Sequence, residues 1–289
     1  MKGTSSMAMT RRAVLGAVGT ASIGGLIGTA SAEPGRGGGF PPAGRTAYTD
    51  PEPLGDGEVR AFHTEHPEGD WRYLGMEMTA EAATIDETEY PKPALVVIDF
   101  PGDTPFEWLG LNWMPAGHGP PEVYGVPHFD IHYYLDPQEE IETIPGVHFP
   151  PGESDDDPYE EPIAPDQFPP DYFRTNYVVP EMGEHLYDLH APEWDVDEDG
   201  APVPSGEAFT QSFVWGHWDG ELNFFEPMVT TDYFETLHDT VVEQISMPDR
   251  MPAAGQYPTE YRIAYHPNRD AYTITLQAFE PFEESAATD

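Results

Sequence analysis

The sequence predicts a mainly β fold: an antiparallel barrel-like or sandwich domain with one or two short helices and long acidic loops. Three stretches carry that expectation. His128-Phe129-Asp130-Ile131-His132-Tyr133-Tyr134-Leu135 alternates strictly between polar and apolar positions, the period of a strand with two different faces. Asp219-Gly220 lies between Gln211–Trp218 and Glu221–Glu226, a strong short hairpin signal. Finally, Tyr261–Tyr265 and Ala271–Phe279 flank the turn-forming His266-Pro267-Asn268-Arg269-Asp270.

Residues 1–32 contain no acidic side chain, and Thr10-Arg11-Arg12-Ala13-Val14-Leu15 leads through a Gly/Ala-rich run to Ala30-Ser31-Ala32. That is the pattern of a twin-arginine signal peptide with an A-x-A cleavage site. A transmembrane anchor needs about 20 strongly apolar residues, whereas Val14–Ala32 is shorter and interrupted by Gly, Ser and Thr. The chain is therefore expected to be exported through the twin-arginine pathway, to be extracellular or cell-surface associated, and to keep no membrane span after signal removal. Residues 33–57 read as a flexible Gly/Pro-rich leader, 58–280 as a single β-rich domain and 281–289 as an acidic tail.

Within the domain, Glu58–His63 and Trp71–Met78 alternate like strands, and Met78–Thr84 suits a short helical turn. Ala94–Phe100 is a continuous apolar run, the pattern of a strand buried on both faces. Leu109–Met114 and His128–Leu135 form a strand pair around PAGHGPPEVYGVP, a loop whose prolines and glycines oppose helix and sheet alike. Pro137–Tyr172 is acidic and Pro-rich, as expected of a solvated loop. A brief strand at Asn176–Pro180 is followed by a turn at Gly183. Asp195, Asp197 and Asp199 have the spacing that opens a calcium loop, but Glu207 falls one place late and no amphipathic helices flank them, so a surface turn is expected. A two-residue turn at Asp219-Gly220 pairs Trp215 with Phe224 and Phe213 with Glu226, leaving Glu226 on an aromatic face. Thr231–Ile245 repeats Phe234, Leu237, Val241 and Ile245 at helical spacing.

The chain carries 53 Asp plus Glu against 12 Lys plus Arg, a net charge of −41. Such self-repulsion is largely screened at molar salt, where the Debye length falls to about 3 Å, so a halophilic protein is expected. Nucleic acid is excluded as a partner, because phosphate neutralisation takes Lys and Arg that this surface lacks. There is no cysteine, hence neither disulfides nor thiolate ligands.

The chemistry-bearing residues gather around His128, Asp130 and His132. On a strand, His128 and His132 stand about 13 Å apart at Cα, too far for both to reach one ion comfortably. Neighbours two apart, His128 with Asp130 or Asp130 with His132, can share a centre. The expected assembly adds His118 from the preceding loop, His185 and Glu226, a carboxylate that is costly on an apolar face unless paired or bound to a cation. Two or three histidines with a carboxylate suit a divalent transition metal: zinc, iron or manganese. The alternative is a buried hydrogen-bonded network in which Asp130 orients a neighbouring histidine and no metal binds. His63, His66, His148, His190, His217, His238 and His266 are expected at the surface or outside the cluster. No nucleophile elbow, phosphate-cradling loop or dinucleotide fingerprint is present.

Through GHGPPEVYGVPHFDIHYY, the later MGEH and GELNFFEPMVT, the chain resembles a family of small secreted prokaryotic proteins of unknown function that includes a Thermus protein under extracytoplasmic sigma-factor control. The resemblance spans roughly residues 58–280. It implies a predominantly β domain, a homo-oligomer, and one cluster formed by His118, His128, Asp130, His132, His185 and Glu226. It implies no reaction. A small-molecule ligand is the partner class left open. The acidic stretches near 150–172 and 195–206 depart from the family pattern.

Overall fold

The computed structural model describes residues 40–65, 71–102, 104–148 and 163–286. The expected signal peptide, the start of the leader and the whole GESDDDPYEEP stretch lie outside these residues.

The chain first lays down β1 (Thr46–Tyr48), β2 (Glu52–Leu54), β3 (Gly57–Glu65) and β4 (Trp71–Thr79), then the one-turn helix α1 (Ala80–Ala83). It crosses to a second sheet for β5 (Ala94–Asp99), β6 (Trp108–Met114), α2 (Pro121–Tyr124), β7 (His128–Tyr134), α3 (Gln138–Ile141), β8 (Val147–His148), β9 (Tyr172–Val179) and β10 (Gly183–Asp188). A small ribbon, β11 (Trp194–Val196) with β12 (Pro202–Pro204), precedes β13 (Gln211–Trp218), β14 (Glu221–Thr230) and α4 (Thr231–Thr236). The first sheet is then completed by β15 (Thr240–Gln244), β16 (Gly255–His266) and β17 (Ala271–Phe282).

Sheet I runs β1-β3-β4-β17-β16-β15, with β2 also on β3, and sheet II runs β5-β6-β7-β14-β13-β10-β9-β8. Neighbouring strands are antiparallel throughout. Both sheets are open, so the sandwich describes the molecule and the closed barrel does not. The core lies between them: Phe129, Ile131 and Tyr133 of β7 pack with Leu74, Met76, Ile263 and Ile274 of sheet I. The Tyr133 hydroxyl donates to the Ile274 carbonyl at 3.1 Å across this interface.

Several local expectations change. Strand pairing begins at Thr46, inside the stretch read as a leader. The run Ala94–Asp99 is an edge strand bonded only to β6, and Leu95 is 55% exposed. Its apolar pattern reflects contact on one face, not burial on two. The Pro-rich loop does hold a helical turn, because Pro121 occupies the first helical position, where a missing N–H costs nothing. The helix after β14 stops at Thr236 and Thr240–Gln244 becomes a strand on β16. Thr240, Val241 and Val242 are β-branched, and their preference for an extended backbone overrides the helical spacing of the apolar residues.

The hairpin register also shifts. Trp218 pairs with Glu221 and His217 with Leu222, but Gly216 pairs with Phe224, leaving Asn223 as an extra residue in a bulge. Beyond it Trp215 faces Phe225 and Val214 faces Glu226. A single inserted residue turns the strand over. Phe213, Trp215 and Phe225 therefore point into the inter-sheet core, while Phe224, Glu226 and Met228 point outward.

Truncating Ile131, fully buried in the inter-sheet core, is expected to lower stability by about 2–5 kcal/mol. Denaturant unfolding in molar salt measures this, and the outward-face chemistry of Ile131→Ala should be unchanged.

Candidate metal centre

The alternation of β7 places His128, Asp130, His132 and Tyr134 on the face of sheet II turned away from sheet I. This face is not solvated, for every residue of β7 is buried. Nor is the cluster inside the sandwich, where a barrel would have held it; it sits beneath an outer cover. On one side Tyr134, Trp108 and Phe224 pack with Ile141, Ile144 and Val178. On the other, Tyr124, Tyr187, Phe209, Val214 and Met228 pack with Trp194.

All six expected residues reach this face, and they form two groups of three. In each group the ligand atoms lie within 4.8 Å of one another, close enough to hold a metal ion. The first is His118, His128 and Asp130. His128 Nε2 is 3.0 Å from Asp130 Oδ1, and His118 Nε2 is 3.6 Å from Oδ2. The Nδ1 atoms are held by the loop: His118 Nδ1 lies 3.0 Å from the Gly119 carbonyl and His128 Nδ1 2.6 Å from that of Val126. A carbonyl can only accept, so each Nδ1 carries a proton and each Nε2 is the nitrogen turned toward the carboxylate. Despite their proximity, His128 Nε2 and Asp130 Oδ1 are not aligned as a hydrogen bond.

The second group is His132, His185 and Glu226. Glu226 is fully buried, with Oε1 3.5 Å from His132 Nε2 and Oε2 3.4 Å from His185 Nε2. Among the described residues neither oxygen has a hydrogen-bond partner, and neither ring nitrogen of His132 has one. Two donors each about 2.1 Å from a tetrahedral ion stand about 3.4 Å from one another. The separations around Glu226 match that edge.

Two glycines shape the site. Gly117 adopts φ of 63°, and a Cβ there would lie 1.9 Å from the Tyr124 carbonyl oxygen; that carbonyl accepts from the His118 amide and fixes the loop. Gly216, opposite His185, leaves space for the Phe224 ring, which a Cβ would meet at 2.0 Å. The ring centroid of Phe224 lies 4.8 Å from that of His132 and 5.1 Å from that of His185, and Tyr134 stacks on His132 at 5.4 Å.

Burial governs the electrostatics. It lowers the His132 pKa to about 4, and together with the neighbouring imidazoles of His132 and His118 it lowers that of His185 to about 3. Burial, reinforced by Asp130, raises Glu226 well above the ordinary carboxylate range. Asp130 is also penalised by burial, but the His128 and His118 imidazoles outweigh this and hold it below its usual value. His118 has the converse balance: burial opposes its charge, and Asp130 with the Gly119 carbonyl raises its pKa overall.

Residues outside the expected set complete the surroundings. Trp194 Nε1 donates to the Tyr124 hydroxyl at 2.9 Å, and that hydroxyl faces the buried Glu193 at 3.4 Å. Glu193 and Tyr124 sit in loop-like sequence with no periodic signal that would have marked them as buried. His217, expected to be exposed near the hairpin tip, is fully buried and 2.9 Å from Glu184; plain alternation along β13 puts it on the same face as Phe213 and Trp215. His190 and His238 are exposed as expected; Asp195 lies in β11, and the turn that follows spans Asp197–Gly200, with Asp197 accepting from the Asp199 and Ala201 amides. The side chain of His148 lies outside the described set.

Set against protein-family models, curated proteins and solved structures, the chain matches none of them.

Three outcomes follow for the metal-free protein. His132 and His185 have folded pKa values below the unfolded value of about 6.5, so the unfolded state binds more protons and stability falls as pH drops from 6.5 toward about 3. Glu226 acts in the opposite direction, its folded state holding a proton that the unfolded chain releases above about pH 4.5. Glu226→Gln should therefore be more stable than wild type at pH 7. The gain should grow above pH 4.5 by up to about 1.4 kcal/mol per pH unit, as read by denaturant titration at several pH values. Gly216→Ala should displace Phe224 from the two imidazoles and cost about 1–3 kcal/mol, detectable as a lower melting temperature.

Proposed function

We propose that the protein is exported, adapted to high salt, and binds a divalent transition metal (zinc, iron or manganese) at the His/carboxylate cluster on the outward face of sheet II. The observation that carries this reading is the state of Glu226: wholly buried, both oxygens lacking a hydrogen-bond partner among the described residues, and two imidazole nitrogens at metal-edge separation. An ion bound there supplies the compensation that a buried carboxylate otherwise lacks.

The same sheet contains a contrasting case. Glu184, equally buried, has Arg174 Nε and Nη2 at 3.0 and 2.8 Å, His217 Nε2 at 2.9 Å and the Asn176 amide at 2.6 Å. That is how a structural carboxylate is satisfied in this molecule. Glu226 receives nothing comparable from the protein, which favours a metal over a purely structural network.

Two histidines and a carboxylate leave coordination positions for water or an oxygenated small molecule, which a metal can polarise or activate. Twin-arginine export, which moves folded proteins, is consistent with loading the ion before export. The near-complete enclosure of His132 and Glu226, whose side chains are 1% and 0% exposed, supports a second reading: a non-enzymatic envelope or stress-response protein that holds its ligand without turning it over.

The test is metal-dependent stability of protein refolded in molar salt with zinc, iron or manganese supplied separately. At a free metal concentration about a hundred times Kd, stabilisation of about 2.7 kcal/mol is expected. It should vanish when Asp130→Asn and Glu226→Gln are combined. Equal metal uptake by wild type and this double variant would overturn the proposal.

A further inference from the structure

We infer that the cluster is a two-ion centre, with an inner ion held by His132, His185 and Glu226 and an outer, exchangeable ion held by His118, His128 and Asp130. This inference rests on the metal-binding reading above and goes beyond it in number and in role.

The two sets share no residue, and each is complete by itself, with two imidazoles and one carboxylate drawn together within 4.8 Å. A single ion cannot serve both. His128 and His132 lie four residues apart along β7, about 13 Å at Cα, while a metal–nitrogen bond spans only about 2.1 Å. Asp130 and His132 are adjacent positions on the same face, about 6.6 Å apart at Cα, so the two ions would be neighbours under one cover. Each carboxylate serves its own set: Asp130 faces His118 and His128, and Glu226 faces His132 and His185.

The sets differ in access. Side-chain exposure is 1% for His132, 8% for His185 and 0% for Glu226. In the other set it reaches 24% at His118, which stands on a loop where the inner ligands all stand on strands. Solvent meets the cluster at His118. The outer ion can exchange its remaining ligands with water or a small oxygen-donor molecule by movement of that loop. Release of the inner ion requires opening of the aromatic cover formed by Phe224 and Tyr134.

The experiment is a zinc titration of the full mature chain in molar salt, with bound metal counted by elemental analysis and release to excess chelator then followed in time. Two equivalents are expected, released in two phases, the slower by about tenfold or more. Asp130→Asn should retain one equivalent and lose the fast phase; Glu226→Gln should retain one and lose the slow phase. One equivalent in wild type overturns the two-ion centre while leaving the metal-binding reading intact, and none overturns both. Two equivalents leaving at a single rate overturn the division into inner and outer ions. So does loss of both ions from a single variant that still melts cooperatively. Should either variant fail to fold, the wild-type count and release rates decide the matter.

Discussion

Two carboxylates and three imidazoles are buried together on one face of one sheet, with the partly exposed His118 at their edge, and the rest of the structure is arranged around that constraint. A charge removed from water must be compensated by a counter-charge or by several hydrogen bonds. Asp130 has part of that compensation in its two histidines, whereas Glu226 has none from hydrogen bonding among the described residues. The surrounding aromatic side chains make the demand sharper, because Phe224, Tyr134, Tyr124 and Phe209 exclude water without offering Glu226 a donor. Sheet I supplies the other half of the arrangement. By burying Phe129, Ile131 and Tyr133 it holds β7 rigidly, so the donors alternating with them are fixed in place by the core.

Much of this was legible from spacing. The period-two pattern of His128–Leu135 gave the strand, its faces and the side-by-side placement of His128 and Asp130. The distance between positions four apart on a strand already separated His128 from His132, and they do fall in different groups. His118, His185 and Glu226 were identified by residue chemistry, and all three reach the same face. The sandwich followed from the hairpins and the alternation around them.

What was not legible has common physical causes. A bulge has no hydrophobic period, so the extra Asn223 was invisible and the aromatic face was drawn on the wrong side of the hairpin. The burial of His217 depends on β10, whose Glu184 pairs opposite it, a neighbour that nearness to the hairpin tip does not reveal. At Thr240–Gln244 a helical spacing competed with β-branched residues, and pairing with β16 decided the outcome. Exposure of the Ala94–Asp99 strand depends on its position at a sheet edge, which is a property of topology and not of composition. Division of the six ligands into two triplets depends on which strands are neighbours, again a long-range fact.

Asn223 also bears on how this protein can vary over time. One residue in excess on β14 decides whether Glu226 meets imidazoles or the inter-sheet core. Pairing Asn223 in the ladder instead of bulging it out would reverse the orientation of everything beyond it on the strand, exchanging Phe225 with its neighbours and driving a carboxylate into an oily interior. The acidic surface turn near Asp195–Gly200 can change length freely, since its backbone is already open to water. The pairing of the hairpin has no such freedom, because a shift of one residue exchanges the two faces of the strand.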